Sequence, residues 1–184
     1  QEVKKLTEYY SGHTFMEVRN RLMLMTFFDT GIRVSELIDL KLSQVKDEYI
    51  LIHGKGDKER VVPKSPLLNK WMFKYLNTRE NFFAYRRVPE NVFLSRNGRP
   101  MTTEAIHRVI KIAGKAVGVS RDIRVSPHTC RHTFAQMQLK NGLDLYSLSR
   151  LMGHSNISIT QRYLEGLRDF EVLNACKATG ILMN

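Results

Sequence analysis

The sequence predicts an α+β fold, predominantly helical, with one small antiparallel sheet. Three observations carry that expectation. Apolar residues recur at helical intervals along most of the 184 residues. Ser, Thr or Asp stands ahead of these periodic stretches and glycine behind several of them, the punctuation of helix starts and stops. Only one pair of β-rich runs, Tyr49 to His53 and Arg60 to Pro63, flanks a turn-forming segment, Gly54-Lys55-Gly56-Asp57-Lys58, which reads as a hairpin with a basic tip.

The first strong helix opens at Thr14, where Glu17 completes the capping-box spacing, and carries Val18, Leu22, Met25, Phe27 and Phe28 to a stop at Gly31. Ser35 is the expected N-cap of a short helix bearing Leu37, Ile38 and Leu40, which leaves Arg33 at the junction. After the hairpin, Leu67 to Arg79 returns to helical period through Leu68, Trp71, Met72 and Leu76. Val92 to Ser95, ahead of Asn97-Gly98, is expected to be a short extended piece. Thr102 or Thr103 caps a helix through Ile106, Val109, Ile110 and Ala113 that stops near Gly118. Ser126 followed by Pro127 is an N-cap with proline in the first turn, opening a helix to Gly142. Asp144 caps a short helix that ends at Gly153, Ser158 caps another that ends near Gly166, and a last helical stretch spans Phe170 to Ala178.

Hydrophobic residues at 42% and charged residues at 26% are globular proportions, which excludes a disordered chain. Lys and Arg exceed Asp and Glu by 29 − 18 = 11 charges, an excess that points to a polyanionic partner, nucleic acid foremost. A membrane-spanning role is excluded by length, since the longest apolar stretch is only Leu22 to Phe28. Two cysteines, Cys130 and Cys176, are too few for a disulfide framework, and the opening QEVKKLTEYY has no secretory pattern. These features predict a cytoplasmic, nucleoid-associated protein. The chain opens on Gln1, so it is read as a piece of a longer protein.

The chemistry-bearing residues cluster towards the second half. His128 and Arg131 stand at i and i+3 on one helical face, behind a helix N-terminus that itself attracts anions. His128 and His132 have the i, i+4 spacing of a helical zinc pair, but Thr129 occupies the place of a metalloprotease glutamate and no carboxylate or cysteine cluster supplies further ligands, so no metal is expected. His154 closes one short helix, and Tyr163 follows nine positions later. No GxxxxGK[ST] loop occurs, and no nucleotide cofactor is expected.

Taken in order, Arg33 in TGIRVSEL, Lys55 in HGKGDKER, His128 and Arg131 in SPHTCRHTFA, His154 in LMGHSNIS and Tyr163 in TQRYL closely resemble the catalytic domain of the tyrosine recombinases, the family of phage-type integrases. The resemblance runs from the Thr14 helix to Tyr163. It implies that Arg33, Lys55, His128, Arg131 and His154 surround a scissile DNA phosphate, that Tyr163 is the nucleophile, and that the product is a 3′-phosphotyrosyl intermediate formed without metal or ATP. The family sometimes carries Trp at the position of His154. Lys55, flanked by glycines, matches the family lysine that protonates the leaving 5′ oxygen, while Lys58 and Arg60 are expected to contact backbone phosphates. Glu36 matches an acidic family position and is expected to brace Arg33.

The resemblance further implies double-stranded DNA as partner and a homo-tetramer on two DNA sites in the full-length protein, with this piece alone monomeric and accessory directionality proteins possible partners. Residues 1–12 then end an interdomain connector, 13–184 form the catalytic domain, and the family's core-binding domain lies upstream. In this family the residues that follow the nucleophile commonly dock on a neighbouring protomer. Two alternatives stay open at this point: relaxation of DNA in the manner of a type IB topoisomerase, and a non-enzymatic helix-turn-helix regulator built on the helices around Asp144 and Ser158.

Overall fold

The computed structural model describes residues 2–54, 59–119, 125–154, 156–161 and 163. Within these, eight α-helices surround one two-stranded sheet: α1 (Glu2–Glu8), α2 (Phe15–Thr30), α3 (Val34–Asp39), β1 (Tyr49–His53), β2 (Glu59–Pro63), α4 (Pro66–Phe82), α5 (Thr103–Ala116), α6 (Pro127–Lys140), α7 (Leu145–Met152) and α8 (Ile157–Gln161). The predominantly helical α+β class is as the sequence predicts. No helix among the described residues is long and apolar enough to cross a membrane.

α2 is the central element, because its apolar residues are not confined to one stripe. Val18, Leu22, Met23, Leu24, Met25 and Phe27 are all buried, as expected of a helix with neighbours on several sides. Its buried polar groups are satisfied locally: the Thr26 and Thr30 hydroxyls donate to the carbonyls of Leu22 and Thr26, and Arg19 Nη1 donates to the Leu94 carbonyl at 2.9 Å. The capping box forms as predicted, with the Glu17 N–H donating to Thr14 Oγ1 and the Thr14 N–H donating to Glu17 Oε2. α4 starts on Ser65 and Pro66, and the Ser65 N–H donates to Asp29 Oδ2 at 2.9 Å, so the start of α4 is fastened to the end of α2. α1 delivers Leu6 into the same core.

The hairpin pairs Tyr49 with Pro63 and His53 with Glu59 in antiparallel register, and buries Ile50, Ile52 and Val62 on one face. Lys55 and Lys58 lie outside the described residues. A second, smaller core joins Phe134 and Ala135 of α6, Leu148 and Met152 of α7, and Tyr163 just after α8.

Three local expectations change. The short helix α3 is entered at Arg33, not Ser35, because the Glu36 carboxylate reaches back to accept the Arg33 N–H at 2.7 Å and takes Val34 and Ser35 into the first turn. α8 begins at Ile157 with Ser158 inside it, since Asn156 Oδ1 accepts the Ser158 N–H at 2.9 Å in the capping role. Val92 to Ser95 does not add a strand to the sheet: within it only Leu94 forms an isolated bridge, with Pro100, while Val92, Phe93 and Leu94 fill the main core. The helical stretch expected at Phe170 to Ala178 lies outside the described residues.

Gly31 ends α2 with φ of 61°, and a Cβ there would run into the Phe134 ring. Gly31→Ala therefore combines the cost of a left-handed alanine with overpacking, and should lower stability by about 2–4 kcal/mol in urea denaturation. A loss under about 1 kcal/mol would mean that Phe134 moves aside freely.

Candidate active site

Four chain segments converge on one corner of the domain: the α2–α3 junction, β2, the first turns of α6, and the end of α7 with the start of α8. Arg131 is the pivot. It is 6% exposed, with Nη1 donating to the Gly31 carbonyl and Nη2 to the Met152 carbonyl. These carbonyls belong to the last turns of α2 and α7, which have no partner within their own helices, so one guanidinium ties two helix ends together. Nη2 also lies 3.1 Å from His154 Nε2. Burial, then the nearby charge of Arg33, pulls Arg131 down to about 10, which leaves it protonated at neutral pH.

Arg33 stands across from it, Nη2 donating to the Gly153 carbonyl at 3.0 Å and Nη1 to Glu36 Oε1 at 2.9 Å. Its side chain is 40% exposed, open to a cleft of about 1130 Å³ that Glu36, Lys41, Arg60, Arg150 and His154 also line. A guanidinium has five N–H donors. Among the described residues, Arg131 commits three and Arg33 two, so both retain donors for an incoming anion.

Glu36 contacts Arg33 through both its side chain and its backbone N–H. It is also gripped by Arg60, whose Nη1 and Nη2 donate to the two carboxylate oxygens at 2.8 Å each. Arg60 was expected to face DNA; instead its side chain is 11% exposed and its Nε donates to the Leu151 carbonyl at 2.7 Å, so β2 is clamped to α3 and α7. Gly153 admits this clamp, since a Cβ there would lie 2.9 Å from Arg60 Nη1. Burial alone would push the Glu36 carboxyl up, but hydrogen bonds from Arg60 and the Arg33 backbone, with both guanidinium charges, hold it down to about 2.

A carboxyl held down in the folded state stabilises the fold above its ordinary value, 4.5, and loses that contribution as the pH falls towards 2. The amount is on the order of 3 kcal/mol. Glu36→Gln should be less stable than the parent at pH 7 and show a shallower loss between pH 4.5 and 2, read by chemical denaturation at each pH. Parallel curves for the two proteins would remove Glu36 from the acid transition.

His154 is held neutral. Burial, then the charges of Arg131, Arg33 and Arg60, push it down to about 4. Its Nδ1 lies 2.8 Å from the Thr160 hydroxyl. Tyr163 is 9% exposed, its N–H donating to the Thr160 carbonyl at 3.0 Å. The phenol ring sits 5.1 Å from the His132 ring and 6.3 Å from the His154 ring, centroid to centroid.

The structure thus gathers Arg33, Arg131, His154 and Tyr163, with Glu36 behind Arg33. His128 is exposed in the first turn of α6, one turn before Arg131. Sequence reasoning did not single out Thr160, and it weighed His132 only as half of a zinc pair. A hydroxyl six residues after a histidine and an imidazole 31 residues before a tyrosine (163 − 132) carry no local signal.

The sequence profile of the phage integrase family matches residues 1–168. The chain belongs to the phage integrase family. Among its curated relatives, the tyrosine recombinase XerD of Staphylococcus aureus (strain N315) is 39% identical over 164 residues, 88% of this chain and 55% of the relative. The chain spans about half the length of the curated relatives it matches. Among solved structures, the XerA recombinase superposes with a TM-score of 0.83 at 30% identity, covering 97% of this chain and 63% of XerA. The XerH site-specific recombinase, in a post-cleavage complex with palindromic difH substrate, superposes with a TM-score of 0.79 at 24% identity, covering 100% of this chain and 52% of XerH. The chain has the fold of tyrosine recombinase catalytic domains.

Proposed function

We propose that this domain cuts and rejoins duplex DNA at specific sites, Tyr163 attacking a backbone phosphate to give a 3′-phosphotyrosyl ester and a free 5′ hydroxyl. The observation that carries this reading is the meeting of two guanidinium groups and a neutral imidazole, from separate segments, at the place where the Tyr163 ring is docked. A phenol with a pKa near 10 attacks a phosphodiester only where its proton is removed and the developing charge is met. The uncommitted N–H groups of Arg33 and Arg131 suit the non-bridging oxygens of a five-coordinate phosphorus. His128 takes the tyrosine proton or passes it on, His154 donates to a phosphate oxygen, and Lys55 protonates the departing 5′ oxygen. The Tyr163 oxygen–phosphorus bond forms as the phosphorus–5′ oxygen bond breaks. A 5′ hydroxyl from the same or another strand reverses the step. Since the ester conserves the energy of the broken bond, rejoining draws on no nucleotide and needs no metal.

Duplex DNA as substrate is supported by the +11 charge and by the substrate-bound state of the XerH relative. A tetramer on two sites, help from directionality proteins and a place at the nucleoid belong to the full-length protein in this reading, with Lys58 a backbone-phosphate contact. Incubation with nicked duplex DNA that carries a recombination site, followed by denaturation and mass analysis, should recover a DNA adduct on Tyr163 with a 5′ hydroxyl on the released strand. Finding no adduct, or a 5′-linked one, would overturn the proposal. Plasmid relaxation without strand exchange by the full-length protein would favour topoisomerase-like activity.

The general-acid role separates Lys55 from the arginines. Lys55→Ala should be severely slow on ordinary DNA and near the parent rate when the bridging 5′ oxygen is sulfur, because a thiolate leaves without a proton. Arg131→Ala should be impaired on both substrates. Rescue of Lys58→Ala instead would transfer the acid role to position 58.

A further inference from the structure

Thr160 is fully buried on α8 and has no part in the scheme above. Its hydroxyl lies 2.8 Å from His154 Nδ1, and its carbonyl accepts the Tyr163 N–H. On the opposite side of the imidazole, Arg131 Nη2 lies 3.1 Å from Nε2. A guanidinium can only donate, so Nε2 presents its lone pair, and a neutral ring then carries its proton on Nδ1. In this state the Thr160 hydroxyl is the acceptor. Donation from His154 to a phosphate oxygen demands the opposite arrangement, with the proton on Nε2 and a lone pair on Nδ1. A carbonyl at position 160 would oppose that tautomer and a backbone N–H would oppose the first. A hydroxyl serves both, since it rotates from accepting to donating.

We propose that Thr160 is a positioning residue that sets the tautomer of His154, accepting from Nδ1 in the free protein and donating to Nδ1 when Nε2 donates to a bound phosphate. The proposal rests on the phosphoryl chemistry proposed above. The exchange is balanced: one proton enters at Nε2 from water, one leaves Nδ1 to water, and the ring is neutral before and after. Because the same residue holds the Tyr163 backbone, the imidazole and the nucleophile are registered on one short segment.

The test is nitrogen NMR of the histidine side chains in the parent, Thr160→Ser and Thr160→Val proteins, free and titrated with inorganic phosphate. In the free parent, Nε2 of His154 should resonate as an unprotonated nitrogen and Nδ1 as a protonated one, and saturating phosphate should exchange the two. Thr160→Ser should reproduce both states. Thr160→Val should show mixed tautomers in the free protein, and its cleavage rate at saturating DNA should fall about tenfold, the worth of one hydrogen bond, with DNA affinity unchanged. An Nε2-protonated ring in the free parent, two protonated nitrogens in the phosphate-bound state, or parent-like spectra from Thr160→Val would each overturn the proposal. Arg131 side-chain resonances report phosphate entry separately. If phosphate leaves them unmoved, the phosphate reading fails, while the free-state comparison of parent and Thr160→Val still decides the role of Thr160.

Discussion

Tyr163→Phe is expected to abolish covalent attachment to DNA while leaving the fold and DNA affinity almost unchanged. The change removes one oxygen. The ring stays packed with Phe134, Ala135, Leu148 and Met152, and the backbone contact to Thr160 does not involve the side chain. Thermal unfolding should therefore shift little, and the salt dependence of DNA binding, which reports the number of phosphates gripped, should not shift at all. Since no other group replaces the bond-forming atom, adduct yield should drop to background on denaturing gels. A phenylalanine variant that still forms adducts would hand the nucleophile role to another of the seven tyrosines.

Arg131→Ala should show the second-largest effect, and it should appear in two measurements. Cleavage at saturating DNA should slow on the order of a hundredfold or more, as when a donor to a developing oxyanion is lost. Stability should fall by about 2–5 kcal/mol, because the Gly31 and Met152 carbonyls lose their buried donor. Arg131→Lys distinguishes the two consequences. It keeps the charge but not the planar fork, so it should recover more stability than rate. Parent-like cleavage by either variant, under conditions where circular dichroism shows it folded, would take Arg131 out of the reaction.

The helices were legible wherever their punctuation is local. Thr14 with Glu17, Thr102, Ser126 with Pro127, and Asp144 with Gly153 all act within four residues or at an adjacent helix end, and all appear in the structure at helix starts or stops. Misplaced boundaries arose where two cap-forming residues compete. At Ser35 a nearby carboxylate won, and at Ser158 an asparagine two residues earlier did. The inward turn of Arg60 was illegible for a different reason. Its partners, Glu36 and Leu151, lie 24 and 91 residues away, and nothing in a basic hairpin says that one of its cations is turned inward. Order along the chain indicated which groups belong to the site. Only the fold shows that a backbone carbonyl at each of two helix ends holds Arg131 in place.

Those two carbonyls have an electrostatic consequence. The carboxyl-terminal end of a helix carries partial negative charge, so the last turns of α2 and α7, left to themselves, would form a pocket that repels phosphate. Arg131 inverts that polarity. Its guanidinium donates to both ends and so neutralises them, and its positive charge sits directly behind His154, which lines the cleft. Removing it leaves the Gly31 and Met152 carbonyls uncompensated, with Arg33 as the guanidinium still facing the α7 end. Phosphate should then bind more weakly even where there is room for it, and an added guanidinium ion, able to occupy the vacated place, should restore anion binding to Arg131→Ala better than an ammonium ion of equal charge.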